Sequence, residues 1–155
     1  MDPTQLLKKQ HREVEQLFKS IEKTDDGDKR TQLLRELTKN LELHMRIEET
    51  MFYPAIRSLE TKKAEEMALE AYEEHAVVKL VIEKLPQVDV EDERFEAKMK
   101  VFQELIEHHV EEEEKEMFKL AKKLGDDQLE ELGERMTAEV EAAKGAMPGK
   151  KGRAA

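Results

Sequence analysis

The stretch "LELHMRIEETMFYP", residues 41–54, carries His44 and, one helical turn later, Glu48, on the side of a helix that its leucines occupy. Leu33, Leu37, Leu41, Ile47, Met51 and Ala55 fall in phase around it, so a long helix is expected from about residue 29 to about residue 59, with Pro54 bending its last turns. Residues four apart on a helix lie about 40° apart around the axis and one turn along it. An imidazole and a carboxylate so placed converge on one point, which is the spacing of metal ligands.

Working outward, the same periodicity recurs three more times. A first helix opens at Asp2, with Pro3 suited to the first helical position, and presents Leu7, Val14, Leu17, Phe18 and Ile21 until "TDDGD" stops it. A third, from about residue 61 to 85, presents Ala68, Ala71, Tyr72, Val78, Ile82 and Leu85 and is closed by "PQVDVED". A fourth, from about residue 93 to 124, presents Phe102, Leu105, Ile106, Met117, Leu120 and Ala121 and ends at Gly125. Short connections between helices of this length imply antiparallel neighbours, hence an all-α, up-down-up-down antiparallel four-helix bundle over residues 1–124. Residues 125–144 read as a shorter accessory helix and 145–155, "GAMPGKKGRAA", as a disordered tail.

Composition agrees. Charged residues make up 41% and aromatics 5%, with 6 glycines, 4 prolines and no tryptophan, a balance for solvent-laced helices rather than a sheet. A net charge of −10 argues against nucleic acid or an anionic membrane surface as partner, both being polyanions. The absence of cysteine removes disulfides, thiolate metal sites and thiol catalysis. No leader pattern and no apolar run near the roughly 20 residues of a membrane helix is present, so a soluble, cytoplasmic chain is expected.

The histidines are written twice. After His11 and after His75, apolar residues follow at the same third, sixth, seventh and tenth positions. His44 lies 33 residues after His11 and His109 lies 34 after His75, each followed four residues later by a glutamate, Glu48 or Glu113. The first two helices therefore repeat as the second two. His108 also has a glutamate four residues on, Glu112, but it shares its side with Glu104, Lys115 and Lys119, a solvated face, whereas His109 is in phase with Phe102, Leu105, Ile106 and Met117. Within the acidic run 111–114, Glu113 is the candidate and the rest read as surface.

Four inward imidazoles and two inward carboxylates cost several kcal/mol each if buried without compensation. Two facing His/Glu pairs with one further histidine from each remaining helix give four nitrogen and two carboxylate ligands, enough for two ions bridged by the carboxylates, and suited to iron, zinc or manganese. A hydrogen-bonded polar core without metal is the alternative, and with it a metal-free helical interaction module.

On His11, "HMRIEETMFYP" with His44 and Glu48, His75, and "HVEEEEKEMF" with His109 and Glu113, the chain resembles the hemerythrin-like proteins with HHE cation-binding domains over about residues 4–124. The resemblance implies a non-haem di-iron centre with His11 and His44 on one iron, His75 and His109 on the other, Glu48 and Glu113 bridging, and an oxo or hydroxo group completing the bridge. It implies oxygen, peroxide or nitric oxide as ligand, for sensing, storage or stress response, or else an enzyme that decomposes hydrogen peroxide or reduces nitric oxide, in a monomer or weak homodimer. Oxygen-carrying members have a further histidine four residues from the third-helix ligand; here those positions are Ala71 and Lys79. Tyr72, three residues before His75, is either a phenolate ligand or hydrogen-bond donor to the centre, or a packed core tyrosine.

Overall fold

A computed structural model describes residues 1–146. Helix α1 runs Pro3–Lys23, and its start is the one the sequence announces. The Asp2 carboxylate accepts from the Thr4 backbone N–H and the Gln5 side chain returns the bond to the Asp2 N–H. Helix α2 runs Gly27–Ile47, capped by Asp26, and continues through a five-residue π turn, Glu48–Phe52, into the short α3, Tyr53–Arg57. Helix α4 spans Lys62–Lys84 behind a Thr61 cap. Helix α5 spans Phe95–Glu112, two residues later than its expected start, and passes through a second π turn, Glu113–Met117, into α6, Phe118–Ala121. Gly125, with φ +89°, turns the chain into α7, Asp126–Ala146.

These elements make the expected all-α bundle. α1 packs on α2, α3 on α4, α4 on α5, and α5 closes the ring on α1. Leu17, Leu33 and Leu105, expected inward, are only partly buried, and two further details differ from the sequence reading. The C-terminal helix is not short: it has 21 residues, as many as α1, and carries Gly145 and Ala146, which were expected in a tail. The remainder of that expected tail, 147–155, lies outside the described residues. The second difference is phase. Met51 and Ala55 are only partly buried, and Phe52, Tyr53 and Ile56 are buried in their place, because the π turn adds one residue to the helical repeat and advances the inward face by one position.

The interior is divided. One apolar cluster gathers Leu6, Leu7, Ile47, Phe52, Tyr53, Ile56, Ala68, Met117 and Phe118 with the inner face of α7, namely Leu129, Leu132, Met136 and Val140. The other gathers Val14, Phe18, Ile21, Leu37, Leu41, Val78, Ile82, Met99, Phe102 and Ile106. Helix α7 reaches the first cluster by crossing the N-terminal segment at Gly133, where a Cβ would collide with the Met1 carbonyl oxygen and stand 3.2 Å from the Pro3 ring. Glycine to alanine in a helix ordinarily stabilises by about 1 kcal/mol. Gly133→Ala is expected to do the reverse, lowering the thermal midpoint by an amount equivalent to about 1–3 kcal/mol as α7 lifts from α1. A raised midpoint would show that the crossing yields freely.

Candidate metal centre

Between the two apolar clusters lies a polar layer. It consists of the six residues the sequence singles out: His11 from α1, His44 at the end of α2, Glu48 in the first π turn, His75 from α4, His109 from α5 and Glu113 in the second π turn. All are buried, with Glu48 fully so and His75 at 1% exposure. His108 points out, with 66% of its side chain exposed, and pairs loosely with Glu112.

Each imidazole is held from outside by its Nδ1. His11 Nδ1 lies 2.6 Å from Glu114 Oε2 and His75 Nδ1 2.7 Å from Glu49 Oε2. His44 Nδ1 lies 2.7 Å from the Gln10 side-chain oxygen and His109 Nδ1 2.6 Å from Glu74 Oε1. An Nδ1–H donated outward leaves the Nε2 lone pair facing inward, the tautomer a metal requires. The inward nitrogens crowd the carboxylates. His44 and His75 Nε2 stand 3.2 and 3.0 Å from Glu48 Oε1, His11 Nε2 3.2 Å from Glu113 Oε1, and His109 Nε2 3.5 Å from Glu113 Oε2. His75 and His109 Nε2 face each other at 3.2 Å. Ligand atoms thus gather in two overlapping groups, His11, His44, Glu48 and Glu113 in one and Glu48, His75 and His109 in the other, with Glu48 common to both.

This layer fits cations. His11 Nε2, His44 Nε2, Glu48 Oε2 and Glu113 Oε1 are fully buried and lack a hydrogen-bond partner, the 3.2 Å approaches of His11 to Glu113 Oε1 and of His44 to Glu48 Oε1 having distance without bonding direction. Each unsatisfied buried atom costs about 1–3 kcal/mol, more where charge is involved. Hard and borderline donors of this kind, N and O without sulfur, would hold divalent iron, zinc or manganese at either group.

Without metal, protons carry the compensating charge. Burial pushes His11 down, but the Glu113 and Glu114 carboxylates override it and hold the imidazole up at about 9. Burial likewise opposes charge on His109, and Glu113, Glu48 and Glu74 together raise it to about 12. Burial works against the Glu48 carboxylate too, yet His44 and the other donors around it keep it well below its usual range. Because both histidines titrate above their ordinary 6.5, their protonation stabilises the metal-free fold fully below about pH 6.5, and that contribution fades as pH rises through about 9 for His11 and about 12 for His109. Metal must displace those protons. Loading at pH 7 is therefore expected to release protons and to tighten as pH rises. Calorimetric titration in buffers of different ionisation enthalpy measures this directly, and zero release would contradict it.

The phenol at the centre belongs to Tyr53. Its hydroxyl donates to Glu113 Oε2 at 2.6 Å and is within 3.1 Å of Glu48 Oε1 and of His75 Nε2, and 3.3 Å of His109 Nε2. Burial first, then the two carboxylates, push its pKa well up, so it stays protonated. Tyr72, the tyrosine the sequence reading considered, donates instead to the Glu49 carbonyl at 3.0 Å and packs edge-on against Tyr53. The reason is the π turn. Five residues along an α-helix Tyr53 would stand about 140° away from Glu48, but the Tyr53 backbone N–H bonds to the Glu48 carbonyl and brings the two side chains to one face. Pro54, with no N–H, cannot serve the next carbonyl in the same pattern, and the Tyr72 hydroxyl serves it. The outer residues Gln10, Glu49, Glu74 and Glu114 stand outside the set the sequence singles out, Glu114 within the run expected at the surface. Their signal was present: each immediately precedes or follows a residue of the duplicated set, at matching places in the two halves.

The model of the hemerythrin HHE cation binding domain family matches residues 2–121, and the chain belongs to that family. It is similar to the uncharacterized protein Rv2633c of Mycobacterium tuberculosis, 27% identical over 148 residues that span 94% of this chain and 89% of the relative. A crystal structure of a hemerythrin HHE cation binding domain-containing protein from Mycobacterium kansasii, a homologue of Rv2633c, superposes with a TM-score of 0.83 at 28% identity, covering 94% of this chain and 89% of that one. A DNA nickase of Nostoc sp. is 24% identical over 118 residues, 76% of this chain and 33% of that protein.

Proposed function

We propose that this chain is a non-haem di-iron protein that binds oxygen or a related small oxidant, in the cytoplasm, as a monomer or weak homodimer. His11 and His44 would hold one iron, His75 and His109 the other, with Glu48 and Glu113 shared and an oxo or hydroxo group completing the bridge. When bound, such a pair supplies two electrons to a small oxygen or nitrogen ligand. The observation that carries the reading is the space beside the imidazoles. A cavity of about 20 Å³ is lined by the four histidines together with Val14, Leu41, Val78 and Ile106. That is room for about one water-sized molecule, and apart from the imidazoles its walls are mostly apolar, which suits a small uncharged ligand such as a diatomic. Among the described residues no helix is long and apolar enough to cross a membrane.

A second reading, turnover of peroxide or nitric oxide at the same residues, draws on Tyr53. Peroxide breakdown moves a proton from one oxygen to another, and the Tyr53 hydroxyl, hydrogen-bonded to both shared carboxylates, would orient the ligand and relay that proton, taking one back as it gives one up. Iron-loaded protein exposed to oxygen and, separately, to peroxide separates the two. A reversible spectral change with oxygen supports binding. Sustained gas evolution from peroxide over many turnovers, reduced in Tyr53→Phe, supports the enzyme. Failure to retain about two irons per chain would sink both.

A further inference from the structure

The two halves of the centre are copies, and the copy is broken at a place that matters. Glu49 and Glu114 occupy matching positions, each after its shared glutamate, and each holds the Nδ1 of a histidine from the other half of the chain. Gln10 and Glu74 also match, each before its histidine, and hold His44 and His109. Here one half offers a neutral amide and the other a carboxylate. Gln10 is buried at 9% exposure, so water does little to screen the difference. Glu49 is already drawn to Lys79 at 2.9 Å, whereas Glu74 groups with the exposed His108 and with Glu112. The copy also differs five residues after each shared glutamate, with Tyr53 in one half and Phe118 in the other.

A carboxylate that accepts an Nδ1–H draws the proton toward itself and makes Nε2 a stronger donor, and losing such a partner typically costs 10–100-fold in metal affinity. An amide oxygen does this weakly. We infer that the two metal positions are unequal by design of this pair: the His75/His109 position fills first and holds its ion more tightly, and the His11/His44 position is the looser, exchangeable one. Glu74 and Gln10 are positioning residues in this, acting through His109 and His44. The inference rests on the two-ion reading above and adds the order of loading.

Zinc, diamagnetic and suited to nitrogen and oxygen donors, serves as the probe, with the imidazole resonances of the ¹⁵N-histidine-labelled full chain as the readout. At one equivalent the signals of His75 and His109 are expected to move while those of His11 and His44 stay, the latter following at the second equivalent. Glu74→Gln should narrow the separation by 10–100-fold in affinity. The double exchange Gln10→Glu with Glu74→Gln, which keeps size and hydrogen-bond geometry nearly constant, should reverse the order. Both pairs moving together in the native chain, His11 and His44 moving first, or an unchanged order in the exchanged chain would each overturn the inference. A circular dichroism spectrum checks that the variants remain helical, and Glu74→Gln alone decides if the double variant does not fold. No shift at either pair would sink the two-ion reading itself, a result distinct from simultaneous filling.

Discussion

Glu48→Gln is expected to empty both metal positions together while leaving the helices intact. Glu48 is fully buried, its Oε1 lies within 3.2 Å of His44 and His75, its Oε2 has no hydrogen-bond partner, and it belongs to both ligand groups. Glutamine keeps the shape and one acceptor oxygen but removes the charge that offsets two cations and substitutes an NH2 that cannot ligate. Loss of a supporting group outside the ligands costs 10–100-fold, so loss of a shared ligand should exceed about 100-fold at each position. Metal analysis after gel filtration and the magnetic coupling of any residual iron pair measure it. Glu112→Gln, on the outer face beside His108, should change neither quantity. Retention of two coupled irons in Glu48→Gln would remove Glu48 from the centre.

The second large effect is expected from His44→Ala, set against His108→Ala. His44 offers a buried Nε2 with no hydrogen-bond partner and an Nδ1 held by Gln10. Truncation removes a candidate ligand nitrogen and leaves the Gln10 side-chain oxygen without its partner, a loss of about 1–3 kcal/mol in the metal-free fold. His108 is largely exposed, so its truncation should leave metal content and melting temperature within the small range of surface substitutions, about 0.5 kcal/mol. Equal metal content in the two variants would mean that the inward face of α5 and the roles of the paired histidines are misassigned.

The histidine phase was legible because 100° per residue holds along α1, α2, α4 and α5, and a four-residue step from His44 or His109 stays inside that rule or meets the π turn only at its first residue. Past Glu48 it fails. A π turn is a change in backbone hydrogen bonding, and no side-chain periodicity announces it; counting on at 100° selects Met51 and Ala55 where the protein buries Phe52, Tyr53 and Ile56. For the same reason Tyr53, five residues past Glu48, carries no signal at 100° per residue, whereas Tyr72 takes the packed one of its two expected places. What could have exposed the turn is chemical: Pro54 denies a donor within an otherwise helical run, and an aromatic residue stands five positions after Glu48 and after Glu113, namely Tyr53 and Phe118. The outer partners were legible only through the duplication, because a glutamate beside a glutamate in a chain with 37 acidic residues carries no signal of its own.

The polar layer between the two apolar clusters also bears on why this chain has one fold. Helices whose inward faces are mainly leucine, isoleucine, valine and alanine can slide past one another by a turn, about 5.4 Å, and find similar packing. Here a slide of α4 against α2 would carry His75 away from Glu48 and Glu49 and set it among aliphatic side chains. The same slide of α5 against α1 would strand Glu113 and Glu114 away from His11. Buried polar groups that find partners in one alignment penalise every other, as a single buried amide does in fixing the register of a coiled coil. The four histidines and two glutamates of the polar layer thus serve as the teeth of a key, cut to fit one vertical alignment of the four rods.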